Sequence, residues 1–341
     1  MKRWIIIILA ILVLGSGVMA YVFYTQVYAD NVTDSETGLH ELYVKSSWNY
    51  DSLTTALYPI LNDYNSFNRL AQRMNLPNKV IPGKYVIADS LGNRPLIQQL
   101  RSGTTQDVEV VLTGTLTRER IIPTIASYLE VDSVELQALL SNTSVLDSLG
   151  FNQENWPCLF VANTYRFNWA ASAKDVVERF VKERAKFWSG ERTEKAKHLG
   201  LSKNQVIILA SIVDGETTKF DEMARIAGLY LNRLEMNMLL QSDPTVRYLM
   251  PESDRQRVTY ADLERESPYN TYRNVGLPPG PILLPSVQAI DAVLNAENHN
   301  FIFMCAKPDF SGYHSFAKTL GQHNRNKALY TRELNRRGIY R

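Results

Sequence analysis

The run Ile207-Ile-Leu-Ala-Ser-Ile-Val-Asp-Gly-Glu216 is almost wholly apolar and ends on a carboxylate. An apolar helix can hold a glutamate at its polar end, where water is scarce. Desolvation disfavours the charged form, so such a side chain keeps its proton toward the range useful for a general acid. A second acid, Asp214, precedes it by two positions. Two positions are about 200° apart at roughly 100° per residue, so the acids cannot easily act as a facing pair. The helix is apolar nearly all round, and periodicity alone does not rank them. One protonated carboxyl without a facing partner suits glycosidic-bond cleavage by an internal nucleophile, whereas ordinary glycosidases need two flanking carboxyls.

Polar residues cluster downstream of this run. Phe220–Leu234 is expected as a helix with Phe220, Met223, Ala227, Tyr230, Leu231 and Leu234 toward a core, carrying Asn232 and Arg233. Leu239–Val246 is read as an extended or turning segment, because Pro244 pushes Asp243 away from helical geometry. Tyr269-Asn-Thr-Tyr272 and Gly276-Leu-Pro-Pro-Gly-Pro-Ile282 follow, the latter a turn-rich loop with little entropy to lose on binding. Aromatic and amide groups beside it suit sugars, through stacking and hydrogen bonds. The expected glycan groove is Asn232, Gln241, Ser242, Asp243, Tyr269, Asn270 and Tyr272. An Asx turn is an equal reading for Asp243, and an internal ion pair for Arg233. His314 and His323 are read as core or surface residues rather than substrate contacts. No metal-ligand spacing is visible, and no cofactor is expected.

Six strings stand in a recognisable order: Ala210-Ser-Ile-Val-Asp-Gly-Glu-Thr217, Asn232-Arg-Leu234, Leu240-Gln-Ser-Asp-Pro-Thr-Val246, Tyr269-Asn-Thr-Tyr272, Gly276–Ile282 and His314-Ser-Phe316. In that order they resemble the endolytic murein transglycosylases of the YceG-like family, over roughly residues 30–341. The resemblance implies a membrane-anchored lytic transglycosylase that cuts nascent peptidoglycan strands internally, with Glu216 matching the catalytic glutamate. There are departures. Asp214 stands where the family usually has a glutamate, and Ala162-Asn-Thr-Tyr165 stands for a Pro-Asp-Thr-Tyr motif. Both bear on fine specificity more than on reaction class.

The elements that must position these residues begin at the membrane. Trp4 to Tyr24 carries no charge, and Met1-Lys2-Arg3 precedes it. At about 1.5 Å per residue this run spans the roughly 30 Å hydrocarbon core, and it exceeds the h-region of a cleaved signal peptide. We therefore expect a cytoplasmic tail at 1–3, an uncleaved inner-membrane span at 4–24, and the rest outside. A polar tether at 25–38 leads to a small LysM-like domain at 39–105, built around a β-α-α-β unit with Phe67, Leu70, Ala71 and Met74 on one helix face. That unit reads equally as a glycan binder or a spacer. The catalytic domain is placed at 106–341. Within it Asp107–Thr113 reads as a strand, Thr117–Tyr128 and 133–150 as helical, and 174–188 as a charged helix with a solvated face. The fold class is α+β.

Composition excludes a strong electrostatic partner: 37 basic and 35 acidic residues leave a formal charge of +2. No basic face speaks for nucleic acid. Cys158 and Cys305 lie in apolar contexts and are read as buried free thiols. The expected partners are peptidoglycan glycan strands, the membrane and peptidoglycan synthases. The expected reaction is non-hydrolytic cleavage of the MurNAc-β-1,4-GlcNAc bond, leaving 1,6-anhydro ends and terminating strand elongation. The rival readings are a hydrolytic muramidase and a non-catalytic glycan-binding scaffold.

Overall fold

The computed structural model describes residues 2–251 and 258–339, so Met1 of the expected cytoplasmic tail lies outside the described residues. The chain is a mixture of helices and short strands, the strands forming three two-stranded sheets among the described residues. It divides into two compact units: one comprises 1–110, 128–131 and 166–172, the other 111–127, 132–165 and 173–341.

In the first unit, α1 (Lys2–Tyr28) is a single apolar helix. Its stretch Arg3–Tyr28 contains an 18-residue window of mean hydropathy 2.7 and is long and apolar enough to cross a membrane. The helix runs a turn beyond the expected span because folded residues hold its end. Asn93 Nδ2 donates to the Gln26 carbonyl at 2.8 Å, and Arg94 Nη1 donates to Tyr28 Oη at 2.7 Å. Gly92 permits this approach, since a Cβ there would lie 2.7 Å from the Tyr28 carbonyl oxygen. The stretch 25–38 is accordingly more than a polar tether. Asn31 is buried and bonds Asp63 through both ends of its amide, and Val32 enters the core. A buried amide that finds both a donor and an acceptor fixes a segment that its polar composition would otherwise leave in water.

β1 (Leu39–Val44), α2 (Tyr50–Leu57), α3 (Tyr64–Arg73) and β2 (Gly83–Ala88) follow in the strand-helix-helix-strand order. β1 and β2 pair antiparallel, from Leu39 opposite Ala88 to Val44 opposite Gly83. Period-two alternation turns Leu42, Val44, Tyr85 and Ile87 inward onto Leu53, Leu57, Phe67 and Ala71. Asn49 and Asp63 cap the two helices. α4 (Asn93–Ser102) adds Leu96, Ile97 and Leu100 to the same core.

β3 (Val108–Leu112) and β4 (Asn163–Phe167) form the second sheet, so the Ala162–Tyr165 motif begins a strand. α5 (Arg118–Ala126), α6 (Ser133–Ser141), α7 (Thr143–Leu149), α8 (Ala173–Phe187) and α9 (Glu191–His198) follow the expected helical stretches and add one. α10 (Lys203–Glu216) is the centre of the second unit, packed on α11 (Phe220–Glu235), α12 (Asp243–Arg247) and α14 (Val287–Leu294), with α13 (Tyr260–Leu263) between the last two in sequence. Enclosure on several sides is why α10 is apolar all round. Val206–Val213 are all buried, and each aliphatic side chain among them contributes about 1.5–3 kcal/mol relative to exposure. β5 (Phe303–Ala306) and β6 (His314–Ala317) make an antiparallel hairpin on which α15 (Leu320–Arg336) packs.

Two expectations are corrected. Asp243–Arg247 is helical because Pro244 sits in the first turn, where its missing N–H costs nothing. Cys158 is buried and free as expected, but Cys305 is only half-buried.

Candidate functional site

Glu216 is delivered by the way α10 begins and ends. Ser202 and Gln205 form a capping box at its start, and Thr217 turns extended directly after Glu216. The carboxyl then meets two hydroxyls. Tyr230 Oη, from α11, and Ser242 Oγ, before α12, each donate to Glu216 Oε1 at 2.5 Å. Burial is the largest influence on this carboxyl and pushes its pKa up, against the lowering effect of the two hydroxyl bonds and of His314. Desolvation wins, so the group holds a proton above the ordinary carboxyl range. Both hydroxyl bonds fall on the same oxygen, Oε1. Gly215 lets the helix end close on α12: a Cβ there would stand 2.8 Å from Pro244 Cβ.

Ser242 is fixed by a small buried network. Its N–H donates to Thr271 Oγ1 at 3.0 Å, and its carbonyl accepts from Thr245 Oγ1 at 2.7 Å. The two threonine hydroxyls share a further bond of 2.8 Å. Gln241 adopts a left-handed φ of +48 with its N–H on the Thr271 carbonyl, a strained conformation of the kind found at functional sites. Beyond it, Tyr272 Oη donates to Asp243 Oδ1 at 2.6 Å. Burial first, and then Asp243, push the Tyr272 phenol well above its usual range.

Glu216, Tyr230, Gln241, Asp243 and Tyr272 line an open cleft of about 390 Å³ together with Arg233, His314 and His323. Arg233 is 7% exposed and, among the described residues, donates to the main-chain carbonyls of Leu239, Leu240 and Ile302. The ion pair read from sequence is absent among the described residues. His314 and His323 line the cleft instead of sitting in the core or on the surface. His323 stacks on Phe303, with ring centroids 5.3 Å apart, and burial lowers its pKa. A larger cleft of about 650 Å³ shares no lining residue with this one. No group of three His, Cys, Asp or Glu side chains is placed to hold a metal among the described residues.

Of the residues expected around the glycan, Gln241, Asp243 and Tyr272 line the cleft with Glu216, and Ser242 supports Glu216 from behind. Asn232, Tyr269 and Asn270 are not brought there. The Asn232 amide donates to the His299 and Phe301 carbonyls, at 2.7 and 3.0 Å. Asn270 is fully buried, its amide spent on the Leu263 and Arg265 carbonyls. Tyr269 is buried with its hydroxyl over Gly280, where a Cβ would meet that oxygen at 2.7 Å. The proline-rich loop therefore packs inward, and Ile282 N–H donates to Ser211 Oγ at 3.1 Å. Asp214 accepts from Ser286 N–H at 2.7 Å and so anchors the start of α14.

The sequence reading missed Tyr230, Thr245 and Thr271 as site residues. Tyr230 was placed on the core face of α11, and it is 1% exposed. The available signal was its phenol, since a buried tyrosine usually finds a hydrogen-bond partner.

The sequence matches the YceG-like family over residues 42–329. A protein of Bacillus subtilis (strain 168) named endolytic murein transglycosylase is 35% identical over 173 residues, 50% of this chain and 47% of that protein. One of the same name from Streptococcus pneumoniae serotype 2 is 26% identical over 283 residues, 72% of this chain and 50% of that protein. This chain thus spans about half the length of the curated relatives it matches. A crystal structure of a YceG-like protein from Listeria monocytogenes superposes with a TM-score of 0.56 at 23% identity, covering 85% of this chain and 99% of that one. The likeness is one of fold.

Proposed function

This chain belongs to the YceG-like family, and we propose that it is a membrane-anchored endolytic lytic transglycosylase acting on peptidoglycan. The observation that carries the reading is Glu216 itself: a carboxyl whose pKa burial raises, with two hydroxyls on one oxygen, in the lining of an open cleft. The names of the relatives support the same reaction class. Protonated Glu216 gives its proton to the leaving oxygen of the MurNAc-β-1,4-GlcNAc bond. As carboxylate, Glu216 then takes the proton of the muramoyl C6 hydroxyl, which attacks C1, and the product ends in 1,6-anhydro-MurNAc. No water enters and no second carboxyl is required, in keeping with the engagement of Asp214 at Ser286.

Gln241, Asp243 and Tyr272 are the residues we assign to the glycan, within a catalytic region at 106–341. We read the apolar α1 as the anchor, and the charges of Lys2 and Arg3 favour a cytoplasmic N-terminus. The strand-helix-helix-strand unit is read as LysM-like, either a glycan binder or a spacer, and peptidoglycan synthases as the candidate partners.

Mass spectrometry of products from uncrosslinked glycan strands tests the reaction. Anhydro ends from the wild type, and their loss with Glu216→Gln, are expected. A second reading, hydrolysis assisted by Asp243, has that carboxylate's place in the cleft in its favour. It predicts reducing ends.

A further inference from the structure

We propose that His314, oriented by the buried Glu222, takes the proton of the attacking hydroxyl, so that the cleft holds a separate acid and base. The inference rests on the glycan-cleaving reading of Glu216 and changes its second half.

Glu222 lies in the first turn of α11 and is 4% exposed. A buried carboxylate must be paired, and this one spends both oxygens on a single residue. Its Oε1 accepts from the His314 main-chain N–H at 2.8 Å, and its Oε2 lies 2.8 Å from His314 Nδ1. The first bond alone would tie β6 to α11. The second orients the ring. Alongside it, Tyr313 Oη donates to both carboxylate oxygens of Asp221 at 3.1 Å. Two consecutive residues of the hairpin are thus held by two consecutive acids of the helix.

A ring nitrogen against a carboxylate oxygen is the donor, so Nδ1 carries a hydrogen toward Glu222, and in the neutral form of the ring Nε2 is an acceptor. Nε2 has no partner among the described residues, and His314 lines the same cleft as Glu216. The residue across the hairpin is Ala306, which also lines the cleft. The cleft therefore offers a donor, the Glu216 carboxyl, and an acceptor, the His314 imidazole. An intramolecular displacement needs that pair at one moment.

The step balances without water or any co-reactant. The muramoyl O6 forms a bond to C1 as its proton passes to Nε2. The C1–O4 bond breaks, and O4 takes the Glu216 proton. Glu216 ends as carboxylate and His314 as imidazolium against Glu222. Before the next turnover a proton leaves His314 and another returns to Glu216 through solvent. The carboxylate-oriented imidazole follows the logic of the hydrolase triads.

Two variants separate this role from a structural one. His314→Asn keeps an amide donor near the Nδ1 position for Glu222 and removes Nε2. Glu222→Gln keeps the main-chain bond but turns an amide toward Nδ1, driving the ring proton onto Nε2. Both are assayed in the full chain on uncrosslinked strands, with melting curves recorded alongside. We expect kcat to fall about 10²-fold or more in each with KM little changed. Cooperative melting with wild-type kcat in either variant would overturn the role of His314 and leave the transglycosylase reading intact. Reducing ends from the wild type would overturn that reading itself.

Discussion

Ser242 Oγ and Tyr230 Oη converge on the same oxygen of Glu216, each at 2.5 Å, where Glu216 lines the cleft. Two hydroxyls on one carboxyl oxygen make its two ends unequal. They also oppose burial, which raises the pKa of the group.

Tyr230→Phe removes one of the donors that favour the carboxylate form. The Glu216 pKa then rises further, so the loss of activity as the acid deprotonates should move to higher pH. The pH profile of kcat/KM reads this directly. A fall that stays in place, or moves to lower pH, would show that Glu216 is not the acid that sets it.

Glu216→Gln is neutral at every pH and keeps an acceptor for both hydroxyls. The wild-type side chain has a raised folded pKa, so its favourable protonated state is fully present below the ordinary carboxyl value of 4.5. As pH rises past that value the unfolded chain ionises first, and the wild type loses stability until the folded pKa is reached. Each unit of difference is worth about 1.4 kcal/mol. The melting temperature of the variant relative to wild type should therefore climb across this window and then level off. A constant difference from acid to neutral pH contradicts a buried, protonated Glu216.

Gly215→Ala places a methyl 2.8 Å from Pro244 Cβ, at the contact that brings α12 to the end of α10. Overpacking should cost about 1–3 kcal/mol. It should also displace Ser242 from Glu216, lowering kcat by up to about 10²-fold. Denaturant titration and steady-state kinetics together check it, and a destabilised variant with unchanged kcat would sink the link.

Asp214→Ala removes the acceptor of the Ser286 N–H at the start of α14. A stability loss of about 1.5–3 kcal/mol is expected, as for a hydrogen bond to a charged group. Product chemistry should not change, and kcat per folded molecule should stay within a few-fold of wild type. A loss as deep as that of Glu216→Gln would instead make Asp214 a participant in the chemistry.

Much of the architecture is legible in the sequence. The uncharged run from Trp4 to Tyr24 marks the apolar helix. Period-two and helical spacing mark the strand-helix-helix-strand unit, and Phe67 and Ala71 of the expected face are indeed in its core. The boundaries were less legible, because Asn31 and Gln26 are held by residues such as Asn93 far along the chain.

The site divides the same way. Sequence determined by itself that an apolar helix ends at Glu216, that desolvation would bear on its carboxyl, and that Asp214 points elsewhere. It could not select the cleft side of a helix that is apolar all round, because that side depends on which neighbours enclose it. Nor could it tell Gln241 and Tyr272, which line the cleft, from Asn232 and Asn270, whose amides satisfy buried main-chain carbonyls. An amide reads alike in both settings. Only tertiary structure decided these, since the partners of Glu216 stand 14 and 26 positions away, and hydrogen bonding between distant segments leaves no local period to read.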